Sequence, residues 1–164
     1  MKIKYFPAII ICLFLLTCDL KNDLIYEQYL QVLMHYGFNN EVDTFNGKLT
    51  KDLILDGIVT VDFSFTTEEQ MQIEEAIILN DFFNLPDTIQ YFSGDSMDVS
   101  IDPDPGIQYL RVNYDNQDRK VYWSYPLPDN DDAQAIMAIF NVIRSVVEST
   151  AVYQDLPEPR GGYN

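Results

Sequence analysis

The sequence predicts an α+β fold: a mainly antiparallel sheet of about five strands with two helices packed on one face, in the order β-β-β-α-β-β-α. Three observations lead there. Apolar and polar residues alternate in runs rich in Val, Ile, Tyr and Phe. Neighbouring runs are joined by turn signals such as Asp56-Gly57, not by helical crossovers. Two longer segments, 66–83 and 129–149, place apolar residues at helical spacing behind capping residues. Hairpins make antiparallel pairs, and two amphipathic helices need a shared face on which to bury their stripes.

The first strand runs from Tyr29 to Phe38, with Leu30, Val32, Met34, Tyr36 and Phe38 on one side and Gln31 and His35 on the other. Leu33 and Gly37 interrupt the polar side, and Tyr29, Leu33 and Tyr36 also fit helical spacing, but no strong cap supports a helix. A hairpin follows over 48–65. A two-residue turn at Asp56-Gly57 would pair Leu55 with Ile58, Ile54 with Val59 and Lys51 with Asp62, and would turn Val59, Val61, Phe63 and Phe65 to the core.

Thr66 with Glu69, or Thr67 with Gln70, makes a capping box for the first helix. Its apolar face is Met71, Ile73, Ala76, Ile77, Phe82 and Phe83, and Pro86 ends it. The stretch from Asp87 to Pro105, rich in Asp, Ser, Gly and Pro, reads as an irregular loop. Strands over 106–113 and 120–125 flank a turn at Asp115-Asn116-Gln117-Asp118, and Pro126 and Pro128 break the second of them. The last helix spans 129–149 with Asp129 as N-cap, Asp131 and Asp132 at the positive end of its dipole, and a core stripe of Ala133, Ile136, Phe140, Ile143 and Val147.

Outside this domain, which occupies 28–150, the two ends read differently. Residues 1–17 have a basic start in Lys2 and Lys4 and an apolar run from Ala8 to Leu16, too short for a bilayer of roughly 30 Å. Basic start, short apolar core and small-residue cut site are the parts of a secretory signal peptide. Ending in Leu15-Leu16-Thr17-Cys18, this one resembles a bacterial lipoprotein signal, although Thr17 is larger than the Gly, Ala or Ser usual before the cysteine. The resemblance implies cleavage before Cys18, a diacylglyceryl group on its thiol, and stable anchoring once a second chain is added. Residues 18–27 then form the lipidated cysteine and a tether. Asp19 does not fix the membrane or leaflet. Residues 151–164 form an extended Pro/Gly-rich tail, which either docks on a partner as a polyproline segment or straps back over its own domain.

Composition narrows the function classes. An apolar content of 47% with 11 Tyr and 10 Phe suits a filled globular core. Without Lys2 and Lys4, eight basic residues face 26 acidic ones, a balance that repels nucleic acid and anionic headgroups. Cys12 lies in the signal and Cys18 carries lipid, so no thiol is left for a disulfide, a cysteine metal site or a nucleophile. His35 is the sole histidine, placed on the solvent side of its strand, so a Ser-His-Asp triad or a multi-histidine zinc site has no support.

Asp43-Thr44-Phe45, Leu49-Thr50-Lys51-Asp52, the 66–83 helix with Leu85-Pro86-Asp87, Val121-Tyr122-Trp123 and the 153–163 tail together resemble an uncharacterised family of bacterial cell-envelope lipoproteins. The resemblance covers nearly all of the chain after Cys18. It implies class and location, and supplies no catalytic residues.

Two candidate sites remain. Asp95, Asp98, Asp102 and Asp104 cluster in the acidic loop, where a calcium ion would find oxygen ligands, but the spacing of a calcium-binding loop is absent and Pro103 and Pro105 restrict convergence. A solvated acidic loop is the default. Tyr122, Trp123 and Tyr125 form a possible aromatic ligand platform, set against core packing of Trp123. The expected protein is therefore a lipid-anchored envelope protein. Its membrane attachment is through Cys18, an envelope protein partner is possible, and nucleic-acid binding, cofactors and enzymatic activity are not expected. The role expected is that of a non-catalytic binding or accessory module. The alternatives are a carboxylate-based hydrolase or glycan-active enzyme, and an inhibitor-like domain presenting the 87–105 loop.

Overall fold

The computed structural model describes residues 30–90 and 103–163. Within them the fold is α+β, with a mixed seven-stranded sheet in the order β4-β3-β2-β1-β6-β7-β5. The strands are β1 (Gln31–Tyr36), β2 (Asn40–Asp43), β3 (Lys48–Asp52), β4 (Ile58–Asp62), β5 (Thr88–Ile89), β6 (Gln108–Tyr114) and β7 (Gln117–Trp123). The helices are α1 (Thr67–Leu79), α2 (Asp131–Ser149) and the short α3 (Ala151–Gln154). Two strands go beyond the expected five. β2 is a four-residue strand whose polar Asn40, Glu41 and Asp43 hide its one buried apolar residue, Val42. β5 lies within the segment expected to be an irregular loop and pairs in parallel with β7, so the sheet is mixed.

Alternation decides which face is core. Val32, Met34, Leu110, Val112 and Val121 are fully buried, and together with Ile73 and Ile77 of α1 and the α2 stripe they make one apolar cluster. All five residues of the expected α2 stripe are buried, joined by Ile139 and Val146. The opposite set of side chains, including His35, Tyr109, Arg111 and Lys120, stays half-exposed on a sheet face that α1 and α2 leave open. Burying a large apolar side chain contributes roughly 1.5–3 kcal/mol, so the alternation in β1 and β6 is enough to fix which side the helices cover.

Local chemistry sets the element ends. Thr66 and Glu69 form the expected capping box: Thr66 N–H donates to the Glu69 carboxylate at 2.7 Å, and Glu69 N–H to the Thr66 hydroxyl at 3.3 Å. α1 ends earlier than Pro86. Asn80 folds its side-chain amide back onto the Ala76 carbonyl at 2.8 Å, Asp81 takes a left-handed φ of 49°, and a 3₁₀ turn over Phe82–Asn84 follows. That break turns Phe82 into the core, while Met71, expected on the buried face, is exposed. The N-cap of α2 is Asn130 rather than Asp129; its side chain accepts from Ala133 N–H at 2.9 Å. The β6–β7 turn is only Asp115-Asn116, both at positive φ (48° and 61°), as a type I′ hairpin requires. Gln117 and Asp118, expected in the turn, belong to β7.

The β3–β4 register differs from the expected one by three residues. Lys48 faces Asp62, Lys51 faces Val59 and Asp52 faces Ile58. The connection is a five-residue loop closed by Leu53 N–H donating to the Gly57 carbonyl at 2.8 Å, not a two-residue turn. Asp52 takes Ile54 N–H at 2.8 Å, and Ile54 adopts φ 63°, which uses up residues the tight turn would have placed in strands. An odd slip moves side chains to the other face. Lys51, expected opposite Asp62 on the solvent side, is therefore buried on the helix side.

The C-terminal segment is a strap on its own domain. After α3, Arg160 bridges Ile54 in parallel: Leu55 N–H donates to the Arg160 carbonyl at 3.3 Å and Arg160 N–H to the Leu53 carbonyl at 3.2 Å. Of the two options for this tail, the strap is the one found. Among the described residues, no helix is long and apolar enough to cross a membrane.

Candidate functional site

Each sequence-predicted site residue has a definite place or lies outside the described residues. Cys18, the signal and the tether fall outside, as do Asp95, Asp98 and Asp102. Asp104 is used locally, its carboxylate accepting from Gly106 N–H at 2.8 Å. Among the described residues no group of three or more His, Cys, Asp or Glu could hold a metal ion.

The three-ring platform is not assembled. Trp123 is 1% exposed and meets Phe140 edge-on at 5.9 Å in the core. Tyr122 is on the open sheet face, and Tyr125 lies past the end of β7, its hydroxyl 3.7 Å from the Met137 sulfur. Strand alternation separates Tyr122 from Trp123, as the spacing had implied. Tyr122 gains a different neighbour: Tyr109, directly opposite it on β6 with ring centroids 6.0 Å apart. His35 stacks on the same Tyr109 at 5.3 Å, and Lys120 sits over it at 3.7 Å. The Tyr109 hydroxyl donates to Glu41 at 3.1 Å. Burial, then Glu41, pushes its pKa up to about 12. Lys120 sits over both tyrosine rings of this row.

The open site is a cleft of about 460 Å³ at the end of the sheet where β1 finishes. That lies in the roughly 300–1,000 Å³ range of small-molecule sites. β1 supplies Tyr36, whose alternation turns it to the helix side, and Gly37, at φ 61°, carries the chain over the rim toward Phe38. β3 brings Asp52. α2 contributes Phe140, Arg144 and Glu148 at steps of four, hence along one helix face. Tyr153 comes from α3, and Pro159 and Tyr163 from the strap, which forms one wall.

The electrostatics of the cleft are largely settled internally. Arg144 Nε donates to Glu148 at 2.7 Å, and that bond is the main reason the guanidinium pKa is raised. Burial works to raise Asp52, but bonds from the Tyr163 hydroxyl, Ile54 N–H and the Asn39 amide outweigh it and hold the carboxyl below its usual range. Tyr36 differs. Its hydroxyl is sealed from solvent and has no hydrogen-bond partner among the described residues. Burial, then Tyr153 and Glu148, raises its pKa, against a smaller opposing pull from Arg144, so it stays a neutral donor and acceptor.

Beside the cleft, beneath the strap, lies Lys51. Its side chain is 2% exposed, its ammonium is 4.3 Å from the Tyr153 ring and 3.6 Å from the Glu158 carboxylate, and it makes no hydrogen bond among the described residues. Tyr36, Asp52, Arg144, Glu148 and Tyr153 were not singled out from sequence. The one available signal was the Arg144–Glu148 spacing of four on a helix, which marks a pair but not a site.

The chain matches no family model, no curated protein and no solved structure. The site therefore stands on its geometry.

Proposed function

We propose that this is a lipid-anchored cell-envelope protein, attached through Cys18, whose α+β domain is a non-catalytic binding or accessory module working through the end cleft. The observation that carries the reading is the polarity of β1. β1 starts at Gln31, on the side of the chain that carries Cys18, and the cleft is built around Tyr36 at its other end. At about 3.3 Å per residue the strand sets the cleft roughly 17 Å from its N-terminal end, which supports a cleft that faces away from an N-terminal anchor.

The hydrolase reading has one observation in its favour, since Asp52 and Glu148 both line the cleft. A carboxylate pair for hydrolysis needs one member with a raised pKa to act as acid. Asp52 is lowered, and the carboxyl that is raised among the described residues, Glu74, lines a separate hollow with Thr67, Met71 and Tyr114. That division supports binding over catalysis.

The test is in-cell crosslinking of the tagged protein, with Cys18→Ala as control. An envelope protein recovered only with the anchored form is the expected result. Membrane attachment that survives Cys18→Ala would overturn the anchoring.

A further inference from the structure

We infer that the end cleft binds a neutral saccharide, with sugar hydroxyls bonding to Tyr36 and Asn141 and a sugar ring lying against the cleft tyrosines. The inference rests on the binding-module reading and names the ligand class of that site.

Charge narrows the ligand first. The chain carries −16 overall, and the cleft holds two carboxylates, Asp52 and Glu148, against one cation, Arg144, already bonded to Glu148. An anion entering finds no uncommitted cation on the walls. A cation fares little better, because Asp52 already accepts from three donors and the Arg144 guanidinium repels it. Uncharged polar groups with unused capacity line the cleft, among them the orphan Tyr36 hydroxyl, within a residue 7% exposed, and the Asn141 amide on the exposed side of α2.

The walls narrow it further. Tyr125, Tyr153 and Tyr163 are each half-buried or exposed and all line the cleft, beside buried Phe140. Aromatic faces take apolar C–H surfaces, and hydroxyl and amide groups take ligand hydroxyls in either direction. A molecule that is uncharged and carries hydroxyls around an apolar ring face matches both sets. Binding also gives the Tyr36 hydroxyl the partner it lacks. Reaching it requires a shift of a wall side chain, and Arg144, 51% exposed, is one that lines the cleft.

The experiment titrates the purified full-length protein with maltose, cellobiose and N,N′-diacetylchitobiose by calorimetry and saturation-transfer NMR. Glucuronate and choline serve as anionic and cationic comparators. Saturable binding of a neutral disaccharide is expected, about tenfold weaker in Tyr36→Phe for the loss of one buried hydrogen bond. The unfolding midpoint of Tyr36→Phe should equal or exceed that of wild type, since that hydroxyl is buried with no partner to lose. Asn141→Ala, at an exposed position, gives an independent readout and should also weaken binding. Binding that neither variant weakens would overturn the site. Preference for glucuronate or choline, or silence of all three disaccharides, would overturn the ligand class. Silence together with a crosslinked envelope protein would remove this inference and leave the binding-module reading standing.

Discussion

Tyr163 lies on Phe38, with ring centroids 3.6 Å apart and planes 26° from parallel. The pair joins the second-last residue of the chain to the β1–β2 turn, and the Tyr163 hydroxyl reaches Asp52 while accepting from Asn39 at 3.2 Å. Arg160, three residues earlier, makes a two-pronged pair with Asp56, its Nε at 2.6 Å. Backbone bridge and ion pair fall at Arg160 and the ring stack at Tyr163, so the register of the strap is specified by chemistry.

Tyr163→Ala should therefore free the end of the strap. Loss of the stack and the Asp52 bond should lower the midpoint of chemical denaturation. Cleavage by protease within 156–163 should rise more than that global loss accounts for. Tyr163→Phe keeps the ring and should recover most of the protection. Equal protease resistance in wild type and Tyr163→Ala would mean the strap is held elsewhere.

The same contact gives a pH dependence. Asp52 is held below its ordinary value, so its contribution is complete above the unfolded carboxyl pKa of about 3.9 and is lost as pH falls through the lower folded value. Tyr163 is shifted upward, chiefly by its bond to Asp52, so its contribution is complete below about 10 and fades as pH rises beyond it. The strap should be tightest between those limits. Asp52→Asn should flatten the acid limb of an unfolding-midpoint curve and leave the curve near pH 7 parallel to wild type. An unchanged acid limb would contradict the assignment.

Particular residues show what was legible in the sequence. Thr66 and Glu69 were readable because a capping box is a local pattern completed within four residues. The α2 stripe and the β1 alternation were readable because periodicity survives without knowledge of partners. The β3–β4 register was not. Asp56-Gly57 is a strong turn signal, but the hairpin is decided by Asp52 capturing Ile54 N–H and by Arg160, over a hundred residues away, bonding to Leu53 and Leu55. β5 was hidden for a similar reason, since two residues pair only because β7 offers its edge. The cleft was the least legible, because its walls come from β1, β3, α2, α3 and the strap, and proximity among them exists only after folding.

Lys51 follows from the register. Its ammonium is buried against Tyr153 and Glu158 without a hydrogen bond, an arrangement in which desolvation offsets attraction. Lys51→Met keeps the length and apolar stem and should leave the unfolding free energy unchanged or raise it. Glu158→Ala leaves the buried cation without its carboxylate and should lower it by about 1–2 kcal/mol. The double variant should recover the value of Lys51→Met alone. If Lys51→Met proved the more destabilising single change, the ammonium would have to be making a favourable interaction of its own.

Glu74 should behave in the opposite sense to Asp52. It is 8% exposed on α1, and burial raises its pKa, with the Tyr114 hydroxyl at 3.5 Å pulling the other way. A carboxyl raised by folding binds its proton more tightly in the folded state. Its contribution is complete below the unfolded value of about 4.3 and is lost as pH climbs through the folded one. At neutral pH the buried charge is therefore a cost, and mild acidification relieves it before Asp52 begins to titrate. Glu74→Gln keeps the shape and removes the charge. It should raise the unfolding midpoint at pH 7 and abolish the gain expected of wild type as pH falls from 7 to the unfolded carboxyl value of about 4.3. Urea denaturation at the two pH values for both proteins checks this. A variant that still gained as much as wild type on acidification would place the responsible proton on another group.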